Sequence, residues 1–225
     1  MRFFNTAGPV RCQDHYCIPP LTRFELDEIL MLIEQKKYFI LHAPRQVGKT
    51  SYLLALRDYL NKQGRYRCVY FNVEVAQTDR ENVPSAMRSL LGEMVSRART
   101  TLDDSFPQSV WQDVLRENGG AALNPVLTRW AEASPKPLIL LIDEIDSLVG
   151  DTLISVLRQL RAGYDKRPAS FPQSVILCGV RDLHDYRIHA SREKAVITGG
   201  SAFNIKAASL RMDDFERQEV ETLVQ

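Results

Sequence analysis

Residues 38–64, YFILHAPRQVGKTSYLLALRDYLNKQG, constrain the fold more than any other stretch of the chain. YFILHA reads as a strand buried on both faces. A loop follows, and from Gly48 the pattern changes to a helix with Leu53, Leu56 and Leu60 on one face and Gly64 as its stop. The chain supplies further strands to lie beside the first: CVYFNVEV at 68–75, LILLID at 138–143, SVILCGV at 174–180 and a weaker AFNIKA at 202–207. Continuous apolar runs of this kind belong to a parallel sheet covered by helices on both faces, which predicts a three-layer α/β fold.

The helical segments alternate with these strands. One runs to about Arg99 with Pro84 in its first turn and Val83, Met87, Leu90, Leu91, Met94 and Val95 at helical spacing. Two shorter segments between about 107 and 133, the first carrying Trp111, Val114 and Leu115 and the second opening at Asn124 with Pro125, read as an insertion between core units. A helix with Leu153, Val156, Leu157 and Leu160 on its apolar side follows LILLID.

The loop APRQVGKT, at 43–50, sits between a strand and a helix, which is the setting a phosphate-binding Walker A loop requires. There Ala43, Pro44, Arg45, Gln46, Val47, Gly48, Lys49, Thr50 and Ser51 surround the N-terminus of a helix, whose free backbone N–H groups and dipole favour anions. Gly48 is expected to permit close backbone approach, Lys49 to reach the β- and γ-phosphates of ATP or ADP, and the Thr50 hydroxyl to ligate Mg²⁺. Ala43 stands where the motif usually has a glycine, so a negative φ is expected there. The plainer reading is a helix start with Lys49 and Thr50 on the surface.

Asp143 and Glu144 end the run LILLI, at the carboxyl edge of the sheet where ligands bind in open α/β folds. Asp143 is the candidate Mg²⁺ partner, acting through water or Thr50, and Glu144 the candidate that polarises an attacking water. Taken alone, an Asp-Glu pair at a strand end is as often a solvated terminus. Its occurrence with the phosphate loop favours the functional reading, with Glu144 and Lys49 as catalytic candidates.

Together APRQVGKT, LILLIDEID and ILCGVRD resemble the AAA-like P-loop ATPases, including their regulatory STAND-type branch, over about residues 15–210. The resemblance implies a P-loop NTPase fold with a central parallel sheet in the order 5-1-4-3-2. It also implies a sensor role for Arg181, and an adenine-wrapping role for DHYCIPPLTRF through Tyr16, Ile18 and Pro19. For Arg181 a surface pair with Asp182 is an equal alternative, and for the upstream segment a packed arm. The implied domains are an arm at 1–24, a core at 25–210 and the start of a truncated helical lid at 211–225, with Asp213 or Asp214 as cap and Phe215, Val220 and Leu223 as apolar positions.

Twenty-nine basic and 28 acidic residues give a net charge of +1, so composition supports neither nucleic acid nor an anionic membrane as partner. The apolar runs are too short to span a bilayer and the N-terminus lacks the apolar core of a signal peptide, which points to the cytoplasm. The four cysteines include no CxxC pair; Cys68 and Cys178 read as buried thiols, and the sequence argues against a disulfide or metal role. The favoured function is an ATP-hydrolysing switch whose partner is an effector protein or another copy of the chain. The alternatives are a nucleotide-binding regulatory or scaffold module with negligible turnover, and a DNA-associated helper ATPase.

Overall fold

The computed structural model describes residues 2–182, 187–190, 195–198 and 203–224. Its strands are β1 (Tyr38–His42), β2 (Arg67–Asn72), β3 (Leu138–Asp143), β4 (Ser174–Gly179), β5 (Arg187–Ala190), β6 (Ala195–Thr198) and β7 (Lys206–Arg211). Its helices are α1 (Leu26–Glu34), α2 (Lys49–Gln63), α3 (Val83–Leu102), α4 (Phe106–Asn118), α5 (Leu123–Ala133), α6 (Gly150–Ala162) and a C-terminal α7 (Arg217–Val224).

Five strands form one sheet in the order β2-β3-β4-β1-β7, with every neighbouring pair parallel. Numbered within that sheet, the order is the expected 5-1-4-3-2. The strand ending in CGV lies between those that deliver the two acidic and basic motifs. Alternation along each strand produces the three layers. Tyr38, Ile40, Val69, Phe71, Leu140 and Leu177 join the cluster built with α3, α5 and α6, including Met87, Leu90, Trp130 and Leu157. Phe39, Leu41, Cys68, Tyr70, Leu141 and Cys178 face the other way, onto Ile29 and Ile33 of α1 and Tyr52, Leu53, Leu56 and Leu60 of α2.

Several local expectations change. The fifth sheet strand begins at Lys206, whereas residues 203–205 of AFNIKA form a turn. Phe203 is drawn into the core, 6.4 Å from the Tyr38 ring in stacked orientation, and cannot also extend the strand. The antiparallel pair β5–β6 has no counterpart among the strands expected from the sequence. Helix α5 opens at Leu123, one residue early, and α7 opens at Arg217 with neither Asp213 nor Asp214 as cap. Instead the Glu219 carboxylate accepts the Glu216 N–H, as a first-turn acid does in a capping box. Of the apolar positions foreseen there, Phe215 and Val220 are exposed; Leu223's surroundings lie outside the described residues. No helix among the described residues is long and apolar enough to cross a membrane.

The cysteine reading is corrected in part. Cys68 and Cys178 are buried free thiols, but Cys12 and Cys17 form a disulfide. The Arg11 carbonyl accepts the N–H groups of Asp14 and His15, and this turn brings the two Cα atoms to 5.2 Å, within bridging range. A search for CxxC spacing misses a pair joined across such a turn.

Candidate functional site

The loop between β1 and α2 has the backbone that its sequence demands. Gln46 and Gly48 take positive φ, 65° and 94°, while Ala43 is not among the positive-φ residues. Its methyl group packs in the core with Val47, so these two positions serve the loop through backbone alone. A Cβ at Gly48 would have no protein atom within 4 Å, and the left-handed φ by itself favours glycine there.

Lys49 is 7% exposed, and its ammonium donates to the carbonyls of Ala43 and Pro44 at 2.9 and 2.7 Å, which pins the aliphatic stem across the loop. No side chain caps α2, leaving its first-turn N–H groups facing the cavity. The Ser51 hydroxyl is engaged by the arm, accepting the Val10 N–H at 3.0 Å.

Across the sheet edge, Asp143 is fully buried and its carboxylate is saturated with donors. Oδ2 accepts from Thr50 Oγ1 at 2.8 Å and from the Tyr70 hydroxyl at 2.9 Å; Oδ1 accepts the Glu144 N–H at 2.9 Å. Sequence reasoning misses Tyr70. It lies on β2, whose last residue Asn72 is in register with Asp143, and only the strand order shows that its hydroxyl reaches this carboxylate. Cys178 lies beneath the same group, and burial, reinforced by the Asp143 charge, pushes its thiol far up. Burial and the Asp143 charge likewise raise the Tyr70 phenol.

Glu144 takes a left-handed conformation, φ 57° and ψ 41°, that a non-glycine residue holds only where its surroundings impose it. Burial first, then the charges of Asp143 and Asp146, raise its carboxyl above the ordinary value, with Lys49 opposing. A carboxyl raised in this way gives up its proton nearer neutrality than an exposed glutamate does.

Gly48, Lys49, Thr50, Ser51 and Glu144 line one cavity of about 770 Å³, which also takes in Phe4, Tyr16, Ile18, Arg23, Arg45 and Phe215, while Asp143 lies buried behind Thr50. That volume suits a nucleotide-sized ligand. Tyr16 and Ile18 line this cavity. Pro19 does not line the cavity; it is the residue preceding the 3-10 turn Pro20–Arg23, and Pro20 faces the space instead. Arg181 lies apart, in a smaller adjoining cavity of about 370 Å³ with Asp146, Val180 and Arg45, and Arg45 alone lines both. The suggested Arg181–Asp182 pair is replaced: Lys206 Nζ meets both Asp182 oxygens at 2.8 Å.

The donor set fits a nucleotide with Mg²⁺. Among the described residues no group of three His, Cys, Asp or Glu side chains could hold a metal by itself. The Thr50 hydroxyl, however, gives its proton to Asp143 and keeps oxygen lone pairs for a cation whose other ligands are phosphates and water.

The sequence profile described as "AAA domain" matches residues 33–186, more than half of the chain. The chain belongs to the AAA domain family. No curated protein matches it significantly. Among solved structures, the AAA domain is similar to Cdc6p from Pyrobaculum aerophilum, with 15% identity, 88% of this chain and 47% of that chain covered, and a TM-score of 0.55. It is similar also to Drosophila ORC bound to DNA, with 13% identity, 100% and 54% coverage and a TM-score of 0.52. Domain III of the Thermotoga maritima replication initiation protein DnaA gives 14% identity, 94% and 70% coverage and a TM-score of 0.50. At such identities the likeness shows the fold alone. The AAA domain spans about half the length of the Cdc6p and ORC chains it matches.

Proposed function

We propose that this AAA domain binds ATP with Mg²⁺ and hydrolyses it, as a switch whose conformation reports the γ-phosphate. The observation that carries the reading is the Thr50–Asp143 hydrogen bond at 2.8 Å, which joins the loop to the acidic strand end beside a cavity that Thr50 and Glu144 both line. Bound Mg²⁺ would supply charge neutralisation at the β- and γ-oxygens. In the proposed roles, the loop N–H groups from Arg45 to Ser51 cradle the phosphates and Lys49 shifts from the loop carbonyls to them. Thr50 offers its lone pairs to the metal while Asp143 holds the hydroxyl proton, and Glu144 orients the attacking water and receives its proton. Tyr16 and Ile18 flank the base. In this reading Arg181, from the neighbouring cavity that shares Arg45, responds to the terminal phosphate.

Thermal unfolding with Mg²⁺ and ATP tests binding: at about a hundredfold excess over Kd one site adds roughly 2.7 kcal/mol. No shift for the native chain, matching Lys49→Ala, would reject the reading. Phosphate release compared with Glu144→Gln separates turnover from storage, since equal rates would leave a nucleotide-holding module. Several structural neighbours, all Drosophila ORC, are described as bound to DNA. For this chain the near-balanced charge offers no cationic excess, and a salt-dependent gel shift with duplex DNA decides whether such a partner applies. We place the protein in the cytoplasm, where the bridge between Cys12 and Cys17 faces a reducing environment. Thiol trapping at cell lysis reads their state.

A further inference from the structure

Arg23 closes the 3-10 turn Pro20–Arg23, and its side chain is only 7% exposed although it carries a full charge. Its guanidinium gathers three segments that are remote in sequence. Nη1 meets Glu219 Oε2 of α7 at 2.5 Å, and Nη2 donates to the Asp213 carbonyl at 2.9 Å. Nη2 also lies 3.5 Å from the Val47 carbonyl of the phosphate loop, at the outer limit of a hydrogen bond. The Phe215 ring stacks on the guanidinium, 3.9 Å from its centroid. Nε is buried without a partner, so the fork is not saturated in this state. Arg23 and Phe215 line the same cavity as Lys49 and Thr50.

A buried arginine is held this way only if its partners stay in place, because removing one leaves a charge out of water. The contact to Val47 is the soft one. A shift of the loop by a fraction of an ångström makes or breaks it, and the loop is the element that a phosphate engages. The other contacts are to residues 213–219, of which Phe215 lines the cavity.

We propose that Arg23 is a positioning residue that couples the phosphate loop to residues 213–219, tightening the segment over a bound adenine nucleotide and slowing its escape. This rests on the nucleotide-binding reading above. Arg23 acts through Val47 and Glu219 on the retention of ligand, while the on-rate is left to the open phosphate loop. Arg23→Lys keeps the charge but loses the planar fork, so it restores the coupling only in part.

The test is stopped-flow displacement of a fluorescent ADP analogue from the full chain, with Lys49→Ala as the control for binding itself. Arg23→Met and Glu219→Gln should each release the analogue about tenfold faster with association unchanged, and the double variant should be no faster than either single one. In hydrogen exchange, nucleotide should protect residues 213–224 in the native chain and fail to do so in the variants. If the native chain binds the analogue and Lys49→Ala does not, yet Arg23→Met and Glu219→Gln release it at the native rate, the coupling is refuted and the nucleotide site stands. If the native chain shows no binding, both readings fall. Should Arg23→Met not fold, Glu219→Gln and Arg23→Lys carry the same comparison.

Discussion

Thr50 and Asp143 stand 93 positions apart and share a 2.8 Å hydrogen bond in which the threonine is the donor. That direction leaves the hydroxyl oxygen free to accept a cation. Thr50→Ala should therefore remove the gain in nucleotide affinity that Mg²⁺ provides, by about tenfold or more, and leave metal-free affinity unchanged. Thr50→Ser should behave as the native chain. Titrations of a fluorescent nucleotide with Mg²⁺ and with a chelator check this, and an equal Mg²⁺ effect in the alanine variant would remove Thr50 from the metal site.

Gly48 offers a test of backbone strain separated from crowding. With φ at 94° and no atom within 4 Å of where a Cβ would stand, Gly48→Ala meets only the intrinsic cost of a left-handed residue. That cost is about 1–2 kcal/mol, read as a lower urea midpoint at unchanged slope. At Gly163 the contrast is steric, since a Cβ would lie 2.3 Å from the Phe171 ring. If Gly48→Ala unfolds at the native midpoint, the loop relaxes and the strain argument fails.

The strand–loop–helix unit at 38–64 and the acidic strand end were legible because their signals are local and strong, whereas the sheet order came from the family resemblance. LILLID and SVILCG are buried at every position, and such runs have few other uses. The edge strand β7 was read out of place because it buries little beyond Leu210, which leaves no pattern to see. Tyr70 and Arg23 escaped notice for a different reason. Their partners lie 73 and 196 positions away, so their roles exist only once the sheet is assembled. The Cys12–Cys17 bridge depends likewise on a turn that no spacing rule encodes.

The helices α4 and α5 are tied to the sheet by one carboxylate. Asp104 Oδ2 accepts from Arg67 of β2 and from the Trp130 indole of α5, both at 2.9 Å, and Oδ1 accepts the Phe106 N–H at the start of α4. Trp130 is fully buried and Arg67 mostly so. Asp104→Ala removes the acceptor of three donors and should cost about 2–3 kcal/mol, while Asp104→Asn, which keeps an acceptor, should cost less. Urea unfolding followed by tryptophan emission measures both; equal stability of the alanine variant would mean that these helices are held by apolar packing alone.

The acid dependence of turnover should belong to Glu144. Burial, then Asp143 and Asp146, raise its pKa above the ordinary 4.5, and Glu74 adds a smaller push in the same direction. A base must be ionised to accept a proton, so phosphate release should fall as pH drops through this raised value, giving an acid limb above the ordinary glutamate range. Removing a neighbouring negative charge stabilises the carboxylate and lowers its pKa. The limb should consequently move to lower pH in Asp146→Asn, and by less in Glu74→Gln. Asparagine at 146 retains an acceptor for the Val180 N–H that Asp146 Oδ1 now holds at 3.2 Å, so the geometry beside Arg181 is preserved. Steady-state rates between pH 5 and 8, about the range where such a shift is resolved, decide the matter. A limb that stays fixed in both variants would assign the proton transfer to another group.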